Sequence, residues 1–359
     1  MKPHINVAVV GCGYWGPNLI RNFKSLTNGT VKLACDINQR RLEDMTRIYP
    51  DIEAVSSFDE VLVDDDVAAV AIATPVASHY PLAKKCLLAG KHTFIEKPFA
   101  TSSAECSELI DIARQNHLVL MVGHTFLYSS PVRKIKEIVD TGEIGDVLYI
   151  SSRRLNLGLF QKDINVFWDL APHDISIILY VMGDIPLSVN CQGKAHFTTN
   201  IEDVTTMTLN FSNGGFATIH NSWLDPSKVR EMTFVGSRKM IVYDDTEPLE
   251  KLKIYDKRVE PPPHYETFAE FYYSYHYGDI YTPYIKQVEP LKVECEHFID
   301  CIQQGCEPIT SGTVGLQVVQ ILEAASQSLH NGGVRVDIDR LEPEPLVPHP
   351  SSAERLTVM

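Results

Sequence analysis

The sequence predicts two domains: an α/β N-terminal domain on a parallel sheet, then an α+β C-terminal domain with an open, mostly antiparallel sheet. Two successive hydrophobic patterns support this. Up to about Gly123, β-branched apolar runs alternate with helical stretches, the pattern of parallel strands joined by crossover helices. Beyond Asp184 the pattern alternates with period two and is broken by turn residues, as in hairpins with one face packed. A chain of 359 residues also exceeds what one hydrophobic core of typical size supports.

Ile5 to Val10 reads as a buried strand, and Gly11-Cys12-Gly13-Tyr14-Trp15-Gly16 follows at once. In a strand–turn–helix setting this G-x-G-x-x-G spacing is the Rossmann dinucleotide-binding turn. Gly11 permits the bend, Gly13 admits a pyrophosphate, and Gly16 lets the next helix pack on the strand. That helix, from about Pro17 to Ser25, directs free N–H groups at the phosphates. A second strand, Val31 to Cys35, ends on Asp36, where an acid can bind the adenosine ribose and repel a 2′-phosphate. The expected cofactor is therefore NAD. Arg40 and Arg41 lie close enough to soften that preference, although a solvated helix face is the plainer reading.

A helix then runs to about Ile48, a short strand begins at Val55, and Asp59 to Val63 is helical. Val67 to Ala73 is a buried strand, with Thr74, Pro75 and His79 at its carboxyl end, where ligands of doubly wound sheets lie. His92 to Ile95 ends in Glu96-Lys97-Pro98, placing a lysine amine beside the nicotinamide. The helix Ser102 to His117 and the strand Leu118 to Val122 complete a domain of residues 1–123. Residues 124–340 form the second domain, and 341–359 a proline-rich tail.

In the second domain a helix covers Pro131 to Val139, and a strand from Val147 to Ser152 leads into Arg153, Arg154 and Asn156. After a polar loop containing Asn165 comes Trp168-Asp169-Leu170-Ala171-Pro172-His173. Asp169 is expected to cap the next helix, with Pro172 in its first turn. The i, i+4 spacing lets the Asp169 carboxylate reach the His173 imidazole and orient a base. Strands are expected over Val189–Phe197, Val204–Phe211, Phe216–Trp223, Arg230–Val235, Lys239–Tyr243 and Leu249–Tyr255. Ser212-Asn213-Gly214-Gly215 marks a hairpin. Pro261-Pro262-Pro263 breaks the alternation. Tyr265 to Tyr284 is rich in aromatics, for which a subunit interface is favoured over substrate stacking or phenol hydrogen bonds. Two amphipathic helices follow, Val288 to Gln304 and Val314 to His330, the first with a stripe of Leu291, Cys295, Phe298 and Ile302.

The formal charge of −14 argues against nucleic acid or an anionic membrane as partner. The eight scattered cysteines have no zinc or redox spacing, so no metal is expected and reduced thiols in a cytoplasmic protein are the plain reading.

Gly11 to Gly16, Thr74-Pro75 with His79, and above all Glu96-Lys97-Pro98 together resemble the glucose–fructose oxidoreductase / inositol dehydrogenase / MocA family. The resemblance implies that Lys97 is catalytic, that Glu96 and Thr74 flank the nicotinamide, and that Asp169 and His173 complete a triad. It implies oxidation of a sugar or cyclitol hydroxyl, with His173 as base. It also implies a homo-dimer or homo-tetramer assembled through the open sheet.

The wording from Gly123 to Tyr128, through Trp168 to Asp174 and Glu289 to Lys292, looks closest to the nucleotide-sugar branch, whose type is UDP-N-acetylglucosaminuronate 3-dehydrogenase. The expected substrate is a nucleotide-linked hexose oxidised at C3, with Tyr128, Arg153, Asn156 and Asn165 as further substrate contacts and Arg154 as a second possible anion ligand. Phe126 and Leu127 stand where many relatives carry arginine. The alternatives are the same chemistry on a free sugar, cyclitol, glycoside or keto-deoxysugar, or an NAD-binding sensor or scaffold without turnover.

Overall fold

The computed structural model describes residues 4–260 and 274–339. The first sheet has six parallel strands: β1 (Ile5–Val10), β2 (Gly29–Cys35), β3 (Glu53–Val55), β4 (Ala69–Ile72), β5 (His92–Glu96) and β6 (Leu120–Gly123). Their order is β3-β2-β1-β4-β5-β6. Connections leave β1 and β4 in opposite directions, so a crevice opens at the carboxyl ends of these two strands. The strands are nearly all buried because helices cover both faces. These helices include α1 (Gly16–Lys24), α2 (Gln39–Ile48), α3 (Phe58–Val63), α4 (His79–Leu88) and α5 (Ser103–Gln115). Val55 ends β3 instead of beginning it, since Ser57 opens a capping box with Glu60 and starts α3 two residues later.

After α6 (Ser130–Asp140), the second sheet begins with β7 (Val147–Leu157) and receives α7 (Val166–Met182) on one face. It continues through β8 (Ser188–Lys194), β9 (Val204–Asn210), β10 (Phe216–Ser222), β11 (Leu224–Gly236), β12 (Met240–Asp244), β13 (Leu252–Glu260), β14 (Ser274–Tyr281) and β15 (Val336–Asp337). The spatial order is β14-β13-β12-β11-β7-β10-β9-β8-β15. β7 and β10 run parallel, and the other described pairs are antiparallel. The hairpin expected at Ser212–Gly215 joins β9 to β10, with Gly214 at φ +83°. Aromatic residues expected near an interface lie on the edge strand β14, where Tyr275 and Tyr277 are exposed. The expectations for residues 261–273 and 341–359 fall outside the described residues.

α7 starts earlier than the sequence suggested. Asn165 is its N-cap, accepting the Trp168 N–H at 3.2 Å, so Asp169 lies in the first turn and Pro172 in the interior. Pro172 cannot donate to the Trp168 carbonyl, which loosens the turn carrying Asp169 and His173.

The last two helices, α8 (Pro290–Gln304) and α9 (Gly312–His330), pack back on the first domain. Phe298 of α8 meets Phe23 and Phe94 edge-on, at centroid distances of 6.3 and 5.8 Å. Gly315 lets α9 lie against β6, since a Cβ there would come within 2.6 Å of Val122. The boundary at residue 123 therefore marks the end of the first sheet, while the chain's final helices complete that domain's core. No helix among the described residues is long and apolar enough to cross a membrane.

Candidate active site

The cofactor turn follows from steric limits. Gly11 has φ +95°, and a Cβ there would meet the Ala73 carbonyl at 2.6 Å and the Thr74 side chain at 2.9 Å. A Cβ on Gly16 would lie 1.9 Å from the Gly11 carbonyl oxygen. Both glycines hold the turn itself. Gly13 differs, because its nearest neighbour to a Cβ is the Arg41 guanidinium at 3.6 Å. The space above Gly13 is where a pyrophosphate can approach the backbone.

Asp36 is fixed beside this turn. One of its oxygens accepts the Cys12 N–H at 2.7 Å and the other the Asn38 N–H at 2.8 Å, and each can accept a further hydrogen bond. Arg41 is half exposed, and its guanidinium reaches back to 3.4 Å from Asp36, over the turn. Tyr14 (90 % exposed) and Ile37 (95 % exposed), on either side of the turn, offer apolar surface to an adenine ring. Ile37 carried no signal in the sequence beyond its position after Asp36. These residues fit the adenosine and pyrophosphate of a dinucleotide.

His79 does not face this crevice. Its ring is buried between the carbonyls of Thr74 and Pro98, each 2.8 Å from a ring nitrogen. It ties the loop after β4 to the loop after β5, which carries Lys97. Thr74 and Pro75 remain at the mouth, with the Thr74 hydroxyl accepting from Ser78 at 2.8 Å.

Lys97 reaches across to α7. Its Nζ donates to the Asp169 main-chain carbonyl at 2.9 Å and lies 3.6 Å from the Asp169 carboxylate. The other carboxylate oxygen of Asp169 accepts the indole N–H of Trp223 at 3.3 Å. Asp169 therefore orients Lys97, and the expected bond to His173 is not made: the His173 Nδ1 is buried without a partner. That leaves Nε2 as the nitrogen facing the cleft. The ring is steered by the edge contact of Phe126, at 5.1 Å between centroids. Burial and the nearby cations Lys97 and Arg154 push the His173 pKa well below its ordinary value, which keeps the imidazole neutral.

Of the expected substrate contacts, several have other partners. Arg154 is buried in a forked pair with Asp174, at 2.8 to 3.1 Å, and stacks over Phe126 at 4.8 Å. Strand alternation puts Arg153 on the opposite face, 3.8 Å from its cross-strand neighbour Glu231. Tyr128 is fully buried, its hydroxyl 3.1 Å from that of Thr310. Asn165 is spent on its cap and on Glu202, at 2.9 Å. Asn156 shares the inward face of β7 with Ser152 and Arg154, and sits against Gly158 at the end of the strand nearest the cleft.

Sequence reasoning gave no role to Trp223, noted Phe126 only as a departure from relatives, and passed over the buried His124 and Glu294. Glu294 left a readable trace, an acid set three residues after Leu291 on the buried stripe of α8. The others depend on contacts distant in sequence.

Comparison with known proteins points to the same two-domain fold. Residues 5–124 match an oxidoreductase family with an NAD-binding Rossmann fold, and residues 132–242 match the GFO/IDH/MocA C-terminal domain. The chain is 28 % identical to the uncharacterized oxidoreductase YrbE of Bacillus subtilis, over 95 % of this chain and 99 % of that one. It is 24 % identical to myo-inositol 2-dehydrogenase of Thermotoga maritima, over 90 % and 96 %. It is 27 % identical to UDP-N-acetylglucosamine 3-dehydrogenase of Acidithiobacillus ferrooxidans, over 64 % and 70 %. A solved structure of the last protein superposes with a TM-score of 0.75 at 24 % identity, covering 91 % of this chain and 98 % of that one. With the glycine turn, the Glu96-Lys97-Pro98 loop and both domain matches in place, the chain belongs to the glucose–fructose oxidoreductase / inositol dehydrogenase / MocA family of NAD-dependent sugar oxidoreductases.

Proposed function

We propose that the protein oxidises a ring hydroxyl, at C3, of a nucleotide-linked hexose. Bound NAD⁺ supplies the hydride acceptor. His173 takes the hydroxyl proton at Nε2, and Lys97 hydrogen-bonds the same oxygen as negative charge develops on it. Asp169 and Trp223 hold Lys97 in register, while Phe126 holds the ring of His173. The observation that carries this reading is the contact of Lys97, from the cofactor domain, with Asp169, one helical turn before His173. It supports a shared role for the Lys97 amine and the neutral imidazole of His173.

The nucleotide-linked substrate is supported by the likeness to UDP-N-acetylglucosamine 3-dehydrogenase. The likeness to myo-inositol 2-dehydrogenase, which spans more of the chain, favours a cyclitol or free sugar as the second reading. Reduced-nicotinamide absorbance with NAD⁺ and a panel of UDP-sugars, free sugars and inositols separates the two. Turnover confined to unlinked substrates would reject the first. Tyr149 stacks on Phe216 at 5.5 Å with both rings partly exposed, and β14 presents Tyr275, Tyr277 and Ile280 to solvent. This surface supports a homo-oligomer, which light scattering in solution would test.

A further inference from the structure

Two loops of the second domain carry a run of aromatic rings away from the Lys97–Asp169 contact. Trp223, whose indole N–H binds Asp169, is tilted against Phe160 at 5.4 Å between centroids. Phe160 meets Phe197 edge-on at 5.6 Å. The loop carrying Phe160 lies directly on the indole: the Gly158 N–H donates to the Trp223 carbonyl at 3.1 Å, and a Cβ on Gly158 would come within 2.7 Å of the ring. The outer end of this wall is open. Phe197 is 72 % exposed, and Leu157 and Leu159, near Phe160 in the chain, are exposed as well.

The loop that presents Phe197 is nevertheless held at several points. The fully buried Asp203 accepts the N–H groups of His196 at 2.8 Å and Phe197 at 3.2 Å, and it lies 2.6 Å from His196 Nδ1. Its carbonyl accepts the Trp223 N–H at 2.9 Å, and the Glu202 carbonyl accepts the N–H of Val166, the first residue of α7, at 2.9 Å. The Phe197 loop is therefore tied to the helix that carries Asp169 and His173, which lowers the cost of ordering it around a ligand. A cavity of about 410 Å³ opens beside Phe197, with Lys194 in its wall. Glu202, the acid of that wall, is turned to Asn165 at 2.9 Å. An exposed aromatic ring with a cation beside it suits a planar base joined to an anionic linker.

We propose that Phe197, backed by Phe160, stacks the base of the nucleotide-linked substrate, with Lys194 supplying positive charge for its phosphates. The sugar lies toward the Trp223 end of the wall, where Asp169 and Lys97 meet, and the diphosphate spans the ring contacts between. A free sugar or cyclitol held at Lys97 leaves Phe197 untouched. The assignment rests on the nucleotide-linked reading of the substrate.

Titration of the NAD⁺-saturated protein with UDP tests the subsite without turnover. Phe197→Ala is expected to weaken UDP binding by about tenfold. Phe197→Tyr, which keeps a ring, should restore it, and Phe197→Leu, which keeps only apolar surface, should not. Pyrophosphate, which has no base, should bind wild type and Phe197→Ala alike. Melting temperature and NAD⁺ affinity verify each variant, and Phe197→Leu decides if Phe197→Ala does not fold. Equal UDP affinity in wild type and Phe197→Ala would overturn the subsite while leaving the nucleotide-sugar reading in place. A changed oligomeric state with unchanged UDP affinity would assign the wall to a subunit contact instead. Wild-type protein that binds no UDP overturns the subsite as well, and turnover confined to unlinked sugars would then reject the substrate reading with it.

Discussion

The guanidinium of Arg154 forks onto the carboxylate of Asp174, with both groups buried immediately behind the residue that carries His173. The pair joins the inner face of β7 to α7, and Arg154 also backs Phe126, which touches the His173 ring. Its geometry is that of a structural strut below the site.

Truncation of Arg154 should therefore act on stability. Arg154→Ala leaves Asp174 as an unpaired buried charge and is expected to lower the free energy of unfolding by about 3–5 kcal/mol. Thermal or urea denaturation would measure it. Unchanged stability together with a raised KM would return Arg154 to the role of a substrate ligand.

Two glycines in one turn should respond differently. Gly13→Ala adds a methyl group where no atom lies nearer than Arg41, so the fold and melting temperature should survive. NAD⁺ affinity should fall by about tenfold or more, because the pyrophosphate can no longer approach the backbone. Gly16→Ala collides with the Gly11 carbonyl and should disrupt the turn itself. Equilibrium titration alongside thermal melts distinguishes the two outcomes.

The buried His297 predicts a pH dependence of stability. Its Nε2 accepts the Ile309 N–H at 3.1 Å, and burial lowers its pKa to about 4. The unfolded chain, titrating near the ordinary value, binds more protons between roughly pH 6.5 and 4. Stability from this group is full above that window and is lost as pH falls through it, at about 1.4 kcal/mol per pH unit. His297→Gln retains an acceptor for Ile309 but cannot protonate. It should flatten the stability–pH slope by that amount, which denaturant melts across the window would show.

Much of the fold could be read in the sequence because it depends on local rules. The β-branched run before Gly11, the spacing of three glycines and Asp36 at the end of β2 each constrain the backbone within a few residues. The hairpin at Ser212–Gly215 was legible for the same reason. The position of α7 was not, since Pro172 resembles a first-turn proline and the capping role of Asn165 emerges only once its side chain is placed. Arg153 and Arg154 illustrate a second limit: adjacent strand residues point to opposite faces, and the phase is set by what packs beneath Ile150 and Ser152. Tyr128 finds Thr310, and Thr125 finds Glu294, because α8 and its following loop return to the first domain. Pairings that distant in sequence leave little trace in local pattern.

The central claim is that Lys97 and His173 act together on one substrate oxygen. A double-mutant cycle in kcat/KM tests it, using Lys97→Met, His173→Gln and the double variant, with NAD⁺ affinity checked in each. The account predicts that each single change costs at least about a hundredfold and that the double variant is little worse than the poorer single one, as for groups working as a unit. Losses that multiply independently, or a single variant with near wild-type turnover, would contradict it.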